Sequence, residues 1–234
     1  DAEKAIMKWF GSASGGARPK ANIMHNGQLY LAKFTALNET KQTEAIEVMT
    51  LRLANACGIN AASASCLSIG RYGDVALIKR FDRDGDRRVH YASAHSFLDA
   101  GSYDELRYVE MADIIIRSCA NPILNTRELF RRIAFTCLMS NTDDHLRNHG
   151  FLRTESGWNL SPMFDVNPDI DRGKTIHLKT PISTDGNPEA SLKTLIEHAD
   201  YFYEGVPEEV IGKRARYTMS EGRGGARACA VKDW

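Results

Sequence analysis

Asn141-Thr142-Asp143-Asp144-His145-Leu146-Arg147-Asn148-His149-Gly150-Phe151-Leu152, followed after a short gap by Ser161-Pro162-Met163-Phe164-Asp165-Val166-Asn167-Pro168, is the stretch that decides how this chain is read. A metal–nucleotide site needs hard oxygen ligands for Mg²⁺ and a carboxylate held beside an attacking hydroxyl. Asp143, Asn148 and Asp165 offer both, in a pattern that taken alone serves a phosphatase, a nuclease or a kinase. Immediately upstream, residues 126 to 140 are apolar at helical spacing, with Leu129, Ile133 and Cys137 at every fourth position. A buried helix running straight into the acidic loop would give it the rigid support a preorganised site requires. Downstream, Phe151-Leu152-Arg153 and Trp158-Asn159-Leu160 read as a short hairpin that delivers Asp165 beside that loop.

Moving outward to the first half, residues 11 to 20 form a loop of small residues that leads into Ala21 to His25, then Asn26-Gly27, then Gln28 to Phe34. Asn-Gly between two β-prone runs predicts a hairpin, because both central residues of a type I′ turn need positive φ. Lys33 then lies on a strand after a glycine loop. Residues 41 to 57 predict a helix with Ile46, Met49, Leu53 and Cys57 on its inner stripe, Thr40 as a possible N-cap and Gly58 as the C′ residue. Residues 64 to 69 and 74 to 81 read as strands that complete a small antiparallel sheet. Residues 106 to 119 and 188 to 203 read as helices, and the glycine-containing stretch from 220 to 230 as a loop.

Composition narrows the classes. Thirty basic and thirty acidic residues cancel, so no global basic field points to direct nucleic-acid binding, and 43% apolar content can fill a sizeable core. Five scattered cysteines without C-x-x-C spacing fit reduced thiols in the cytoplasm. No apolar run approaches a membrane span, so no membrane partner is expected. The start, Asp1-Ala2-Glu3-Lys4, lacks signal-peptide form, and its lack of an initiator Met hints at residues upstream.

A glycine loop, a strand lysine and a helix with acidic residues, in that order, are what a kinase-type small lobe needs. The loop is not a P-loop, since Gly-x-x-x-x-Gly-Lys-Ser/Thr is absent. Alone it reads as a polar turn beside a solvated lysine; joined to the acidic loop it reads as a nucleotide site. Glu47 or Glu44 could orient Lys33.

These segments resemble the HipA-type serine/threonine kinases, toxins of bacterial toxin–antitoxin systems. The resemblance runs over residues 11 to 205 and rests on Gly15-Gly16-Ala17-Arg18-Pro19-Lys20, Leu31-Ala32-Lys33-Phe34, Lys79-Arg80-Phe81-Asp82-Arg83 and the two stretches quoted first. It implies an α+β, two-lobed protein-kinase-like fold, with a small antiparallel-sheet N-lobe (1–92) and a mainly helical C-lobe (93–234). It implies ATP and Mg²⁺ as cofactors, Asp143 as catalytic base, and Asn148 and Asp165 as metal ligands. It further implies Lys33 on the phosphates with Glu47 as its partner, and Gly15, Gly16, Ala17 and Lys20 in the loop over the phosphates. Lys79, Arg80 and Phe81 would form the hinge to adenine, and His145 and Arg147 would line the nucleotide. The implied partners are a protein substrate such as an aminoacyl-tRNA synthetase and a DNA-binding antitoxin of the HipB type.

Two departures accompany the resemblance. The loop position that relatives autophosphorylate falls at Ala13, leaving Ser12 and Ser14 as the neighbouring acceptors. Only ten residues precede the glycine loop, where full-length relatives carry an N-terminal subdomain, so either that part is missing from this sequence or a separate protein of that kind is a further candidate partner. Two rival functions stand beside the kinase. His145 and His149 near Asp143 and Asp144 could serve a metal-dependent hydrolase. A nucleotide-binding subunit of an antitoxin–operator complex, without phosphoryl transfer, is the other. Asp82 to Asp86 opens like a calcium loop, but Ser93 stands where the bidentate glutamate belongs, so it reads as a polar turn.

Overall fold

The structure is a computed structural model that describes residues 19–34, 43–69, 74–97, 107–169 and 175–203. Gly15, Gly16, Ala17, Ser12, Ser14, Thr40 and the 220–230 stretch lie outside the described residues. The chain opens with β1 (Lys20–His25) and β2 (Gln28–Phe34), followed by helix α1 (Thr43–Ala56), β3 (Ala64–Ser68) and β4 (Asp74–Lys79). The Asn-Gly hairpin forms as expected, with Asn26 at φ 49° and Gly27 at φ 69°. The four strands make an antiparallel sheet in the order β1-β2-β4-β3. Central β4 is buried on both faces: Ala76 and Ile78 meet Val48, Leu51 and Ala54 of α1, while Val75 and Leu77 pack with Ile23, Ala32 and Phe34.

That packing corrects the expected inner stripe of α1. The buried positions are Glu44, Glu47, Val48, Thr50, Leu51 and Ala54; of the expected stripe Cys57, just past the helix, is buried, whereas Met49 is 57% exposed and Ile46 and Leu53 are half-buried. The helix carries apolar residues almost all round, so its period does not single out a face. The sheet selects one, and the selected face carries Glu47 beneath Lys33. Gly58 ends the helix region at φ 77°, the left-handed value expected of it.

Arg83–Asp84 (β5) and Arg87–Arg88 (β6) form a minimal hairpin, so the calcium-like run is a turn; Asp82 beside it is clamped by Arg80 and Arg83. A strand not foreseen from sequence, β7 (Tyr91–Ser93), joins β8 (Gly150–Thr154) and β9 (Gly157–Leu160) in a second antiparallel sheet. Gly150 is required at that crossing, since a Cβ there would lie 2.2 Å from the Tyr91 ring. The short helix α2 (Ala94–Phe97) follows β7.

The remaining core is helical. α3 (Tyr108–Ser118) and α4 (Pro122–Met139) pack through Met111, Ile115, Leu129 and Ile133. α4 starts at Pro122 rather than Thr126, because proline at the first helical position costs no hydrogen bond. Asn125 near its start docks the β8–β9 hairpin, donating to Asn159 Oδ1 at 3.0 Å and accepting from the Leu160 N–H at 2.7 Å. Residues 188 to 203 depart from the expected single helix. Pro188 and Ala190 pair with the 176–178 segment, so the helix α5 spans only Leu192–Glu197, capped by Ser191 and followed by a 3₁₀ turn at Ala199–Tyr201. No described helix is long and apolar enough to cross a membrane.

Candidate active site

Strand alternation sets up the site. Ala32 and Phe34 point into the sheet's core, so Lys33 points to the other face, over α1. Its Nζ donates to Glu47 Oε1 at 2.7 Å and to Asp165 Oδ1 at 2.9 Å. Burial works against the ammonium, but the two carboxylates outweigh it and hold Lys33 above the usual lysine range. Burial pushes Glu47 up, with Lys33 pulling the other way, while Asp165 is held down by Lys33 and Asn167 despite its own burial. Asp165 sits at φ 57°, a left-handed conformation uncommon outside glycine, which marks its position as constrained.

Lys20 is the cross-strand partner of Lys33, so two lysines share one sheet position and one face. Like charges opposed in this way are unfavourable unless acids or an anion offset them. Both line a polar cavity of about 340 Å³ together with Glu44, Glu47, Asp143, Asp165 and Asn167. Next to it lies an apolar slot of about 240 Å³ formed by Leu31, Ile78, Phe81, Tyr91 and Phe164, and sharing Lys20, Lys33, Glu47 and Asp165 with the polar cavity. Phe81, Tyr91 and Phe164 contact one another ring to ring, and burial keeps the Tyr91 phenol protonated up to about 12. A flat apolar slot opening into a cationic and acidic chamber suits a base joined to phosphates.

The loop after α4 turns its two carboxylates in opposite directions. Ser140 ends the helix in a left-handed conformation (φ 57°), after which Asp143 is half-exposed and Asp144 is 1% exposed. Asp144 accepts from Tyr108 Oη at 2.7 Å and the Lys179 N–H at 2.9 Å, and burial pushes its carboxyl up to about 6. Asp143 instead accepts from Lys179 Nζ, with His145 Nε2 at 4.0 Å. The Asn148 side-chain amide donates to the Asp143 carbonyl at 2.8 Å and so fixes the loop.

Of the residues expected at the site, Lys20, Lys33, Glu47, Lys79, Arg80, Phe81, Asp143 and Asp165 line the two cavities. His145, Arg147 and Asn148 line neither, and Gly15, Gly16, Ala17, Ser12 and Ser14 are outside the described residues. At the expected hinge, the Lys79 and Arg80 N–H groups are spent on Ser63 and Leu29 carbonyls, and the Arg80 guanidinium is held by Asp82 and Asn22. Sequence reasoning missed Asn167, Tyr91, Phe164 and Lys179. Asn167, two residues past Asp165, donates to it at 3.0 Å and leaves a buried Oδ1 without a partner among the described residues. The hydrolase rival loses its histidine pair: His149 is buried against Tyr108 Oη at 3.1 Å, with burial and Arg132 holding its imidazole down at about 4. Among the described residues no three His, Cys, Asp or Glu side chains gather to hold a metal.

Set beside known proteins, residues 12–221 match the family model described as the HipA-like C-terminal domain. The chain belongs to that family. The serine/threonine-protein kinase toxin HipA of Shewanella oneidensis is 25% identical over 181 residues, which are 64% of this chain and 42% of that protein. This HipA-like chain thus spans less than half the length of the curated relatives it matches. Among solved structures, the HipA–HipB–operator DNA complex of Shewanella oneidensis MR-1 contains a chain with TM-score 0.69 at 18% identity, matching 99% of this chain and 68% of that one. The proinflammatory kinase CtkA of Helicobacter pylori has TM-score 0.60 at 12% identity, over 92% of this chain and 93% of that one. The fold is therefore the mixed α/β fold with antiparallel sheets that these kinases share.

Proposed function

We propose that this HipA-like chain is an ATP- and Mg²⁺-dependent kinase that transfers the γ-phosphoryl group of ATP to a serine or threonine hydroxyl of a protein. The observation that carries the reading is Lys33, held between Glu47 and Asp165 at the junction of an apolar slot and a polar cavity that also contains Asp143. The four-stranded sheet would form an N-lobe up to about residue 92 and the helices a C-lobe, with the nucleotide between them. Adenine would occupy the Phe81–Tyr91–Phe164 slot against the 79–81 hinge. Lys33 and Lys20 would meet the phosphates.

Carboxylate and amide oxygens are the donors Mg²⁺ prefers, and Asp165, Asn148 and the unpartnered Asn167 Oδ1 fit that chemistry. When bound there, the ion supplies charge neutralisation on the phosphates. Asp143, half-exposed and lining the polar cavity, accepts the proton of the attacking hydroxyl. Asp144 cannot take that part, because its oxygens are committed to Tyr108 and Lys179.

As a HipA-like protein it would act as a toxin on a translation component such as an aminoacyl-tRNA synthetase, in the cytoplasm, with a HipB-type antitoxin as partner. The described cysteines Cys57, Cys66, Cys119 and Cys137 are free thiols, which suits that compartment. Ser12 or Ser14 would carry any autophosphorylation, adding about −1.5 to −2 charges each to the loop; mass spectrometry of protein incubated with ATP reads it directly. The deciding experiment is transfer of label from γ-phosphate-labelled ATP to a cell extract, with Asp143→Asn and Asp165→Asn as controls. Transfer that persists unchanged in both variants overturns the reading. Nucleotide binding without any transfer by the native chain would instead favour the non-catalytic subunit.

A further inference from the structure

The lysine on Asp143 is not explained by the roles given so far. Lys179 comes from a segment 36 residues further along the chain, yet it touches the acidic loop twice. Its backbone N–H donates to Asp144 Oδ1 at 2.9 Å, and its Nζ donates to Asp143 Oδ1. The next residue repeats the tie, since Thr180 Oγ1 donates to the Asp144 carbonyl at 2.8 Å. Leu178 and Thr180 on either side are 3% and 1% exposed, and Pro181 accepts from the Tyr108 N–H at 2.9 Å. Lys179 is thus anchored at its backbone while its side chain is 57% exposed. The buried Asp144 gains a function by this geometry: it holds Lys179 in register beside Asp143.

The charge distribution of the cavity says what such a lysine is for. Among the described residues, the cations lining the polar cavity are Lys20 and Lys33, which are cross-strand partners on the sheet. Charge on a transferring phosphoryl group spreads over its three equatorial oxygens, more than the sheet lysines alone would serve. An ammonium has three N–H donors, of which Lys179 spends one on Asp143. We propose that Lys179 is a catalytic residue of the transfer, reaching the γ-phosphoryl group through its place on Asp143, which lines the polar cavity with Lys33. This rests on the kinase reading. In the step, the substrate hydroxyl oxygen forms a bond to the γ-phosphorus while the bond from that phosphorus to the β–γ bridging oxygen breaks. ADP leaves with that oxygen and its electron pair, and the hydroxyl proton passes to Asp143. Lys179 stays protonated throughout, keeping Asp143 placed while a second N–H meets an equatorial oxygen.

The test uses the whole chain, γ-phosphate-labelled ATP with a cell extract as acceptor, and a fluorescent ATP analogue to read nucleotide affinity, in native, Lys179→Met, Lys179→Arg and Asp143→Asn proteins. Loss of one preorganised donor to a developing charge lowers turnover about 100-fold. Lys179→Met should show that loss with nucleotide affinity within about threefold of native, and Lys179→Arg should recover a tenth or more of the native rate. Native turnover in Lys179→Met overturns the proposal, as does a matching loss of nucleotide affinity, or an Arg variant no better than Met. If the native chain labels nothing that Asp143→Asn does not, the kinase reading itself fails, and Lys179 with it.

Discussion

Two clusters of three charges, each a central ion flanked by two of opposite sign, differ in what they leave open. At the cleft, Lys33 lies between Glu47 and Asp165, an acidic excess; Asp165 is 39% exposed and lines both cavities. On α4, Glu128 lies between Arg131 and Arg132, a basic excess. There Glu128 accepts from Arg132 Nε at 2.9 Å and from the Asn60 N–H at 3.0 Å, and Arg132 donates to the Asn60 carbonyl at 3.1 Å. Arg132 is 1% exposed, and neither cavity touches this cluster. It ties α4 to the turn that precedes β3, and so fixes the helix that launches the acidic loop. Access and unspent bonding capacity, rather than the presence of charges, separate a site from a brace.

Substitutions should split the two clusters cleanly. Asp165→Asn removes the carboxylate proposed to hold Mg²⁺ but leaves Lys33 paired with Glu47, so label transfer should fall 10³-fold or more, about 4 kcal/mol in barrier, with the urea midpoint nearly unchanged. Glu128→Ala should do the reverse. It leaves Arg132 buried without its counter-charge, at a cost of about 3 kcal/mol or more in unfolding free energy, while the folded fraction binds nucleotide normally. A Glu128→Ala protein as stable as native would show that the brace is dispensable.

Lys33→Met lies between these extremes, weakening nucleotide binding at least tenfold and stability by about 2 kcal/mol. The cost is limited because burial already pushes Glu47 up, and without Lys33 the carboxyl neutralises more readily. Its raised folded pKa means that this variant should be more stable at pH 5 than at pH 8 relative to native; equal urea midpoints at both would refute the account.

Much of this arrangement was legible in the residues themselves. Local signals carry the Asn26-Gly27 hairpin, the β3–β4 pair, the helix into the acidic loop and the hairpin after it, because turn chemistry and apolar period act over a few positions. The structure sets Glu47 beneath Lys33, while the stripe assigned to α1 departs at Met49, Ile46 and Leu53, since an evenly apolar helix takes its orientation from the sheet. β7, Tyr91 and Lys179 were not legible. Each acquires its place only through pairing with residues far along the chain, Tyr91 through β8 and Lys179 through Asp144, and no local pattern records that. Asn148 shows the converse: its spacing fits a metal ligand, but its amide in this structure braces the Asp143 carbonyl.

A third polar cluster, Tyr108, Asp144 and His149, is buried beneath the acidic loop and subject to the same test of access; in the native protein its net effect on stability is the smallest of the three. Burial pushes Asp144 up to about 6 from 3.8, so the folded protein holds a proton there that the unfolded chain has released. That contribution to stability is present below the unfolded value and is lost as pH rises through about 6. Burial and Arg132 hold His149 down at about 4 from 6.5, so its contribution is present above the unfolded value and is lost as pH falls through about 4. The two slopes oppose each other over the same window and nearly cancel, leaving native stability flat with respect to this pair. His149→Gln removes one slope and exposes the other: stability should then fall by about 2–3 kcal/mol as pH is raised from 4 to 6, read as a declining urea midpoint. A variant profile that is flat from pH 4 to 6 would mean that Asp144 is ionised throughout, and that the cluster holds Lys179 with a carboxylate at every pH.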